Sequence, residues 1–232
     1  VDFYDDYPRD VAVFAGEYAA HDLNLTNSIE SALAEAAMMT GMEKNGDVVK
    51  LASYAPLFNR IGHSQWTPDL IWFNEESVVY TPNYYVQKIF SDYAGSKVLQ
   101  LDGQDKKLRE QKLYVSAVLD DDEKIIVKVV NASEEEQTLN LTDEKGQVYS
   151  CDCEKVLMQA ANGKAKPVVQ TEAVDTNDGN KGLPGGDVAT NFKMCELRKP
   201  EDTSYIISKI HLDGKVSLPP KTITVLRFEK KN

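Results

Sequence analysis

Residues 11–16 read Val-Ala-Val-Phe-Ala-Gly, an unbroken apolar run that stops on the carboxylate of Glu17. Nothing in it alternates with polar residues, so it predicts a strand buried on both faces. A loop over 21–26 follows, then Asn27 as a helix N-cap with Glu30 three residues on, a capping-box pattern. Ile29, Leu33, Ala36, Ala37 and Met42 keep helical spacing, and Asn45-Gly46 closes the helix. Gly41 lies inside it, where glycine costs stability, which predicts close packing against a neighbour. Residues 48–54 form a second strand, ended by Ala55-Pro56. A loop carrying Trp66, Pro68 and Asp69 and an apolar patch at 70–73 leads to Thr81-Pro82. That pair opens a second helix, with proline at its first position, that runs to about Gly95. Strand, helix, strand, helix with short links makes two successive β/α units.

The rhythm changes after Gly95. No amphipathic helix is expected from 97 to 232. Short alternating strands recur instead, at 113–119, 124–131, 138–141, 156–158, 205–212 and 222–228. Turn residues separate them: Asp120-Asp121-Asp122, Lys145-Gly146 and Asp213-Gly214. This is the pattern of an antiparallel β-sandwich. The stretch 176–188, rich in Gly, Asp, Asn and Pro, predicts a long surface loop. The expected organisation is an α/β portion over 1–96 and an all-β domain over 97–232.

A net charge of −11 over 232 residues, with no local basic stripe, repels phosphate backbones. Nucleic acid is therefore excluded as a partner, while neutral polysaccharides remain compatible. No apolar stretch has the length of a membrane span, so no membrane partner is expected. The opening Val1-Asp2-Phe3-Tyr4 lacks Met and runs almost at once into a core strand, which reads as a cut through a longer protein. Three cysteines, Cys151, Cys153 and Cys195, are an odd count and predict buried or half-buried thiols rather than a disulfide framework. His21, His63 and His211 are scattered without ligand spacing, so neither metal nor cofactor is expected. Met38, Met39 and Met42 read as core packing. The Asn-X-Ser/Thr triplets at Asn24, Asn131 and Asn140 are chance matches in a chain rich in Asn and Thr.

Chemistry enters with Glu17. A carboxylate at the C-terminal end of a barrel strand faces the catalytic mouth, yet many such strands end in acids that do no chemistry. The residues around it decide the matter. Phe14-Ala15-Gly16-Glu17-Tyr18-Ala19, then 31–45 (Ser-Ala-Leu-Ala-Glu-Ala-Ala-Met-Met-Thr-Gly-Met-Glu-Lys-Asn), Asp47 to Phe58 and Gln65-Trp66-Thr67-Pro68-Asp69-Leu70-Ile71-Trp72-Phe73 resemble glycoside hydrolase family 51. That family is chiefly α-L-arabinofuranosidases. The resemblance runs from Val11 to about Phe90 and weakens beyond Gly95. There it rests on sandwich character and on the ending 218–228 (Leu-Pro-Pro-Lys-Thr-Ile-Thr-Val-Leu-Arg-Phe).

The resemblance implies that Glu17 is the nucleophile at the end of strand seven of a (β/α)8 TIM barrel, and that 47–54 is strand eight. The residues from Lys97 onward would be the β-sandwich packed beside it. Family members are retaining hydrolases, which need two carboxyl groups about 5–5.5 Å apart. The family's acid/base Glu follows an Asn at the end of strand four. No such pair precedes Glu17, and Asn74-Glu75 lies past it. The chain would thus hold the last two units of a partial barrel, which cannot close alone, and it is expected to be inactive by itself. A homo-oligomer, or another contact, is expected to cover the cut barrel surface.

Three loop residues are candidates for substrate binding. Trp66 offers a stacking platform for a sugar face or a loop anchor, Asp69 a hydroxyl acceptor or a structural carboxylate, and His21 a side chain four residues past Glu17. Tyr18 is expected to pack or to bond to backbone. The implied partner is an arabinose-containing oligo- or polysaccharide, a substrate class that favours a secreted or periplasmic setting. A non-catalytic carbohydrate-binding or accessory sandwich, and another retaining specificity such as an endoglucanase, stay open.

Overall fold

The computed structural model describes residues 1–23, 26–63, 69–101, 105–162 and 201–230. The α/β portion opens with β1 (Val13–Tyr18), α1 (Ile29–Lys44) and β2 (Val49–Tyr54). The two strands are parallel, with Phe14 opposite Leu51 and Tyr18 opposite Tyr54. Then come β3 (Phe58–Arg60), β4 (Ile71–Phe73) and β5 (Val78–Tyr80), a small sheet in that order, followed by α2 (Pro82–Asp92). The patch at 70–73, expected within a loop, is the central strand of this small sheet. Asn74-Glu75 forms the β4–β5 turn, where Asn74 Oδ1 accepts from the backbone N–H of Glu76 and Ser77.

Two local expectations are corrected. The N-cap of α1 is Ser28, whose Oγ accepts from Ser31 N, while Ser31 Oγ accepts from Ser28 N. Asn27 turns its Nδ2 to Tyr54 and Asn83 instead, and its Oδ1 accepts from no helix N–H. The run at 11–16 is not buried on both faces either. Phe14 is 60% exposed and its cross-strand partner Leu51 63%. Among the described residues β1 and β2 pair only with each other, and α1 packs on other strands rather than covering them. Gly41 does meet a close neighbour: a Cβ there would lie 1.8 Å from the Val1 carbonyl oxygen. Thr81 caps α2 as expected, its Oγ1 accepting from Tyr84 N.

The rest of the chain is dominated by strands: β6 (Lys97–Val98), β7 (Leu113–Leu119), β8 (Lys124–Asn131), β9 (Gln137–Asn140), β10 (Ser150–Ala160), β11 (Thr203–Asp213), β12 (Lys215–Leu218) and β13 (Thr222–Glu229). One helical turn and a half, α3 (Asp105–Glu110), interrupts them where no helix was expected. Six strands form an antiparallel sheet in the order β11-β10-β13-β8-β7-β6, and β9 pairs with β12 in a second, two-stranded sheet.

The sandwich is therefore lopsided. One face of the large sheet packs on Leu139 of β9 and Val216 and Leu218 of β12. The other face is covered by Ile29, Leu33 and Ala36 of α1 and by Val86 and Ile89 of α2. Being covered on both sides, β7, β8 and β13 are buried at nearly every position rather than alternating. Val115, Val127 and Leu226 point to one layer, and Val118, Ile126 and Val225 to the other. Cys153 is a free thiol, which burial pushes up to about 11. Cys195 and the loop 176–188 lie outside the described residues. No described helix is long and apolar enough to cross a membrane.

Candidate active site

Glu17 is the next-to-last residue of β1, on the same side of the βαβ unit as the segment that follows β2, and its side chain is open to solvent. Among the described residues no hydrogen bond or ion pair engages its carboxylate, so it is free to meet a ligand. Behind it the polypeptide turns into a buried polar network. Tyr18 packs as expected, its ring edge-on to Tyr54 at 5.9 Å, and its hydroxyl donates to a side chain rather than to backbone, Gln87 Oε1 at 2.8 Å. Gln87 Nε2 donates to Glu35 Oε1 at 2.6 Å. Glu35 Oε2 accepts from Asn83 Nδ2 at 2.8 Å and from the backbone N–H of Ala20 at 3.3 Å. Asn83 Oδ1 in turn accepts from Asn27 Nδ2 and Ser31 Oγ, each at 3.0 Å, and Asn27 Nδ2 reaches Tyr54 Oη at 3.2 Å.

Glu35 is only 1% exposed. Burial raises its pKa from 4.5 to about 7, against the opposing pull of the Asn83, Gln87 and Ala20 donors. The Tyr18 hydroxyl is pushed up to about 12, first by burial, with the nearby Glu35 charge adding to it. Tyr54 is raised further by the same two causes.

The three loop candidates fall differently. Asp69 is 3% exposed, and burial raises its pKa from 3.8 to about 7. Its backbone carbonyl accepts from Trp72 Nε1 at 3.1 Å, which fixes the start of β4. His21 is exposed, with Nδ1 2.9 Å from the Asp22 carbonyl oxygen, a contact in which the ring nitrogen donates. Trp66 lies outside the described residues. No three His, Cys, Asp or Glu side chains among the described residues gather to hold a metal ion. Glu75 is exposed and paired with Arg60 at 3.0 Å, on the β4–β5 turn of the small sheet.

Sequence reasoning missed Glu35, Asn83, Gln87, Asn27 and Tyr54. The available signal is a spacing: Ser31 and Glu35, and Asn83 and Gln87, are i, i+4 pairs on α1 and α2, which puts each pair on one helix face. In one dimension such a pair looks like a solvated face, and only the docking of the two helices buries it.

Glu35 gives a pH-dependent stability whose sign follows from its raised pKa. Between about 4.5 and 7 the folded chain keeps a proton that the unfolded chain has released, so stability falls as pH rises through that window and is level above it. The loss is on the order of 3 kcal/mol. Glu35→Gln, neutral throughout, removes this term, whereas Asp69 titrates in both proteins and cancels. Denaturant titrations at pH 5 and pH 8 should therefore shift in favour of the variant at the higher pH. An identical wild-type-to-variant difference at both pH values would refute this account.

Comparisons with known proteins bear on the family and the fold. The family profile described as the α-L-arabinofuranosidase C-terminal domain matches residues 8–193. The extracellular exo-α-L-arabinofuranosidase of Streptomyces chartreusis is 48% identical over 99 residues, 42% of this chain and 12% of that protein. Alpha-L-arabinofuranosidase 2 of Arabidopsis thaliana is 34% identical over 206 residues, 88% of this chain and 29% of the relative. Among solved structures, arabinose-bound MgGH51 α-L-arabinofuranosidase superposes with a TM-score of 0.73 at 23% identity, covering 99% of this chain and 34% of that one. The Thermotoga maritima α-L-arabinofuranosidase arabinose complex gives 0.60 at 12% identity, covering 92% and 42%. At these identities the structures speak for the fold alone. The chain spans less than half the length of each of these proteins.

Proposed function

The chain belongs to the α-L-arabinofuranosidase C-terminal domain family, and from that premise we propose that it is the C-terminal portion of a retaining α-L-arabinofuranosidase with Glu17 as the nucleophile. The observation that carries this reading is the parallel β1–α1–β2 unit with a solvent-open Glu17 near the C-terminal end of its first strand. In a barrel that end forms the mouth, and β1 and β2 take the places of strands seven and eight. Glu17 attacks the anomeric carbon as the bond to the leaving oxygen breaks, giving a covalent arabinosyl ester. Water then cleaves that ester, with the second carboxyl group acting as acid and afterwards as base. That second group comes from outside the 232 residues, and the strands that complete the barrel cover β1 and β2. His21, exposed four residues past Glu17, and Trp66 are the proposed sugar contacts, while Asp69, 3% exposed, is read as a structural carboxylate.

The substrate is an arabinose-containing oligo- or polysaccharide. A carbohydrate-binding sandwich would turn aromatic rings to solvent, whereas Phe228 is buried, Tyr149 packs on it and Tyr205 stacks on Tyr85. This disposition supports the enzyme reading.

The complete protein should release arabinose from an arabino-oligosaccharide. The 232-residue chain alone should be at least ~10²-fold slower, because general-acid assistance is missing. Hydrolysis by the isolated chain at the rate of the complete protein, abolished by Glu17→Gln, would show that the acid/base lies within this chain.

A further inference from the structure

We propose, on the reading of Glu17 as nucleophile, that the buried Glu35 is a positioning residue for it, acting through Gln87 and Tyr18 and through the backbone of Ala20. The β1–β2 ladder does little to hold Glu17. Their pairing is regular at Phe14 and Ala15, then breaks before resuming at Tyr18. Glu17 sits within the break. What fixes the chain beyond it is the carboxylate of Glu35. One oxygen takes the N–H of Ala20, three residues past Glu17, and the other takes Gln87, whose amide oxygen holds the hydroxyl of Tyr18. The residue next to Glu17 and the turn that follows are thus tied to one side chain on α1, itself anchored between Asn83 and Gln87 of α2.

A buried carboxylate without a cationic partner is a costly way to stabilise a core, and none of the ion pairs among the described residues includes Glu35. An apolar side chain would pack at lower cost but could not receive three convergent donors. Three donors aimed at two oxygens specify one geometry for the β1 exit. Nucleophilic attack is sensitive to misplacement on the scale of an ångström.

The test uses the complete protein, with kcat and KM measured on an arabino-oligosaccharide at a temperature where circular dichroism shows each variant folded. Glu35→Ala leaves Ala20, Asn83 and Gln87 without their acceptor. It should lower kcat by on the order of 10²-fold while KM stays within about threefold. Tyr18→Phe removes one hydroxyl and keeps all three donors to Glu35. It should lower kcat about tenfold, again with little change in KM, and it carries the test if Glu35→Ala does not fold.

The double variant Glu35→Gln with Gln87→Glu reverses the pair. The amide at 35 keeps an oxygen toward Asn83 and Ala20 and donates to the carboxylate at 87, which still accepts from Tyr18. Its kcat should return to within about threefold of the starting enzyme, by the same positioning argument. Folded Glu35→Ala and Tyr18→Phe proteins with normal kcat would overturn the inference, as would a reversed pair no faster than Glu35→Ala. Glu17→Ala run in parallel separates the two levels. If it is inactive while these variants are normal, only the positioning role fails; if it is active, the nucleophile reading fails with it.

Discussion

Glu17→Ala in the complete protein is expected to fold normally and to lose hydrolysis by several orders of magnitude. Folding should survive because the side chain is open to solvent and engages no described partner, so its removal opens no cavity and orphans no donor. Activity should not survive, because without a carboxylate the two-step displacement has no first step. A small anion of similar shape, azide or formate, fits the space left by the truncated side chain and should restore part of the turnover on a substrate with a good leaving group. The azide product should carry the anomeric configuration opposite to that of the substrate, since one displacement then replaces two. Restored turnover with retained configuration would point to a nucleophile elsewhere. Near-normal hydrolysis without any additive would make Glu17 an ordinary solvated strand end.

How much of this was legible in one dimension depended on whether the signal was local. The strands at Leu113–Leu119 and Lys124–Asn131 were placed at their observed bounds because their apolar runs are flanked by turn residues. The Thr81-Pro82 start of α2 was equally local. What layers cover those strands was not local. Their near-continuous burial follows from helices docking on one face and β9 with β12 on the other, and neither fact is written in the strands themselves. The same gap explains β1. Its apolar sequence suits a strand covered on both faces, yet among the described residues only β2 pairs with it. At the site, Glu17 stood out through the motif around it. Glu35 did not, since a Glu on an Ala-rich helix reads as solvent-facing until Asn83 and Gln87 are brought against it.

Lys128 was legible only as a polar position on a strand, and it carries the largest stability effect expected outside the active site. The side chain is fully buried, with Nζ 2.6 Å from Glu43 Oε1 and 5.3 Å from the centre of the Phe90 ring. Glu43, at the end of α1, is 15% exposed and also accepts from Ser116 Oγ at 2.5 Å. The pair therefore joins the helical layer to the middle of the large sheet. Removing one partner of a buried pair costs about 3–5 kcal/mol, chiefly by stranding the other charge. The two deletions should differ, because Lys128 has no access to water and Glu43 has some. Glu43→Gln should thus be the worse, lowering the melting temperature by on the order of 10 °C, and Lys128→Met the milder. The double variant should recover most of the loss.

The pH dependence distinguishes this from a packing defect. Burial already lowers the pKa of Lys128, with Glu43 opposing the shift, so losing Glu43 lowers it further. Between that depressed value and the unfolded value of about 10.4 the unfolded chain binds the extra proton, and stability rises with pH. The deficit of Glu43→Gln should accordingly shrink from pH 7 to pH 10, while that of Lys128→Met should not. Equal deficits for the two single variants, unchanged between pH 7 and pH 10, would mean that the ammonium is not held charged in the core and that the bridge is no more than a contact of shape.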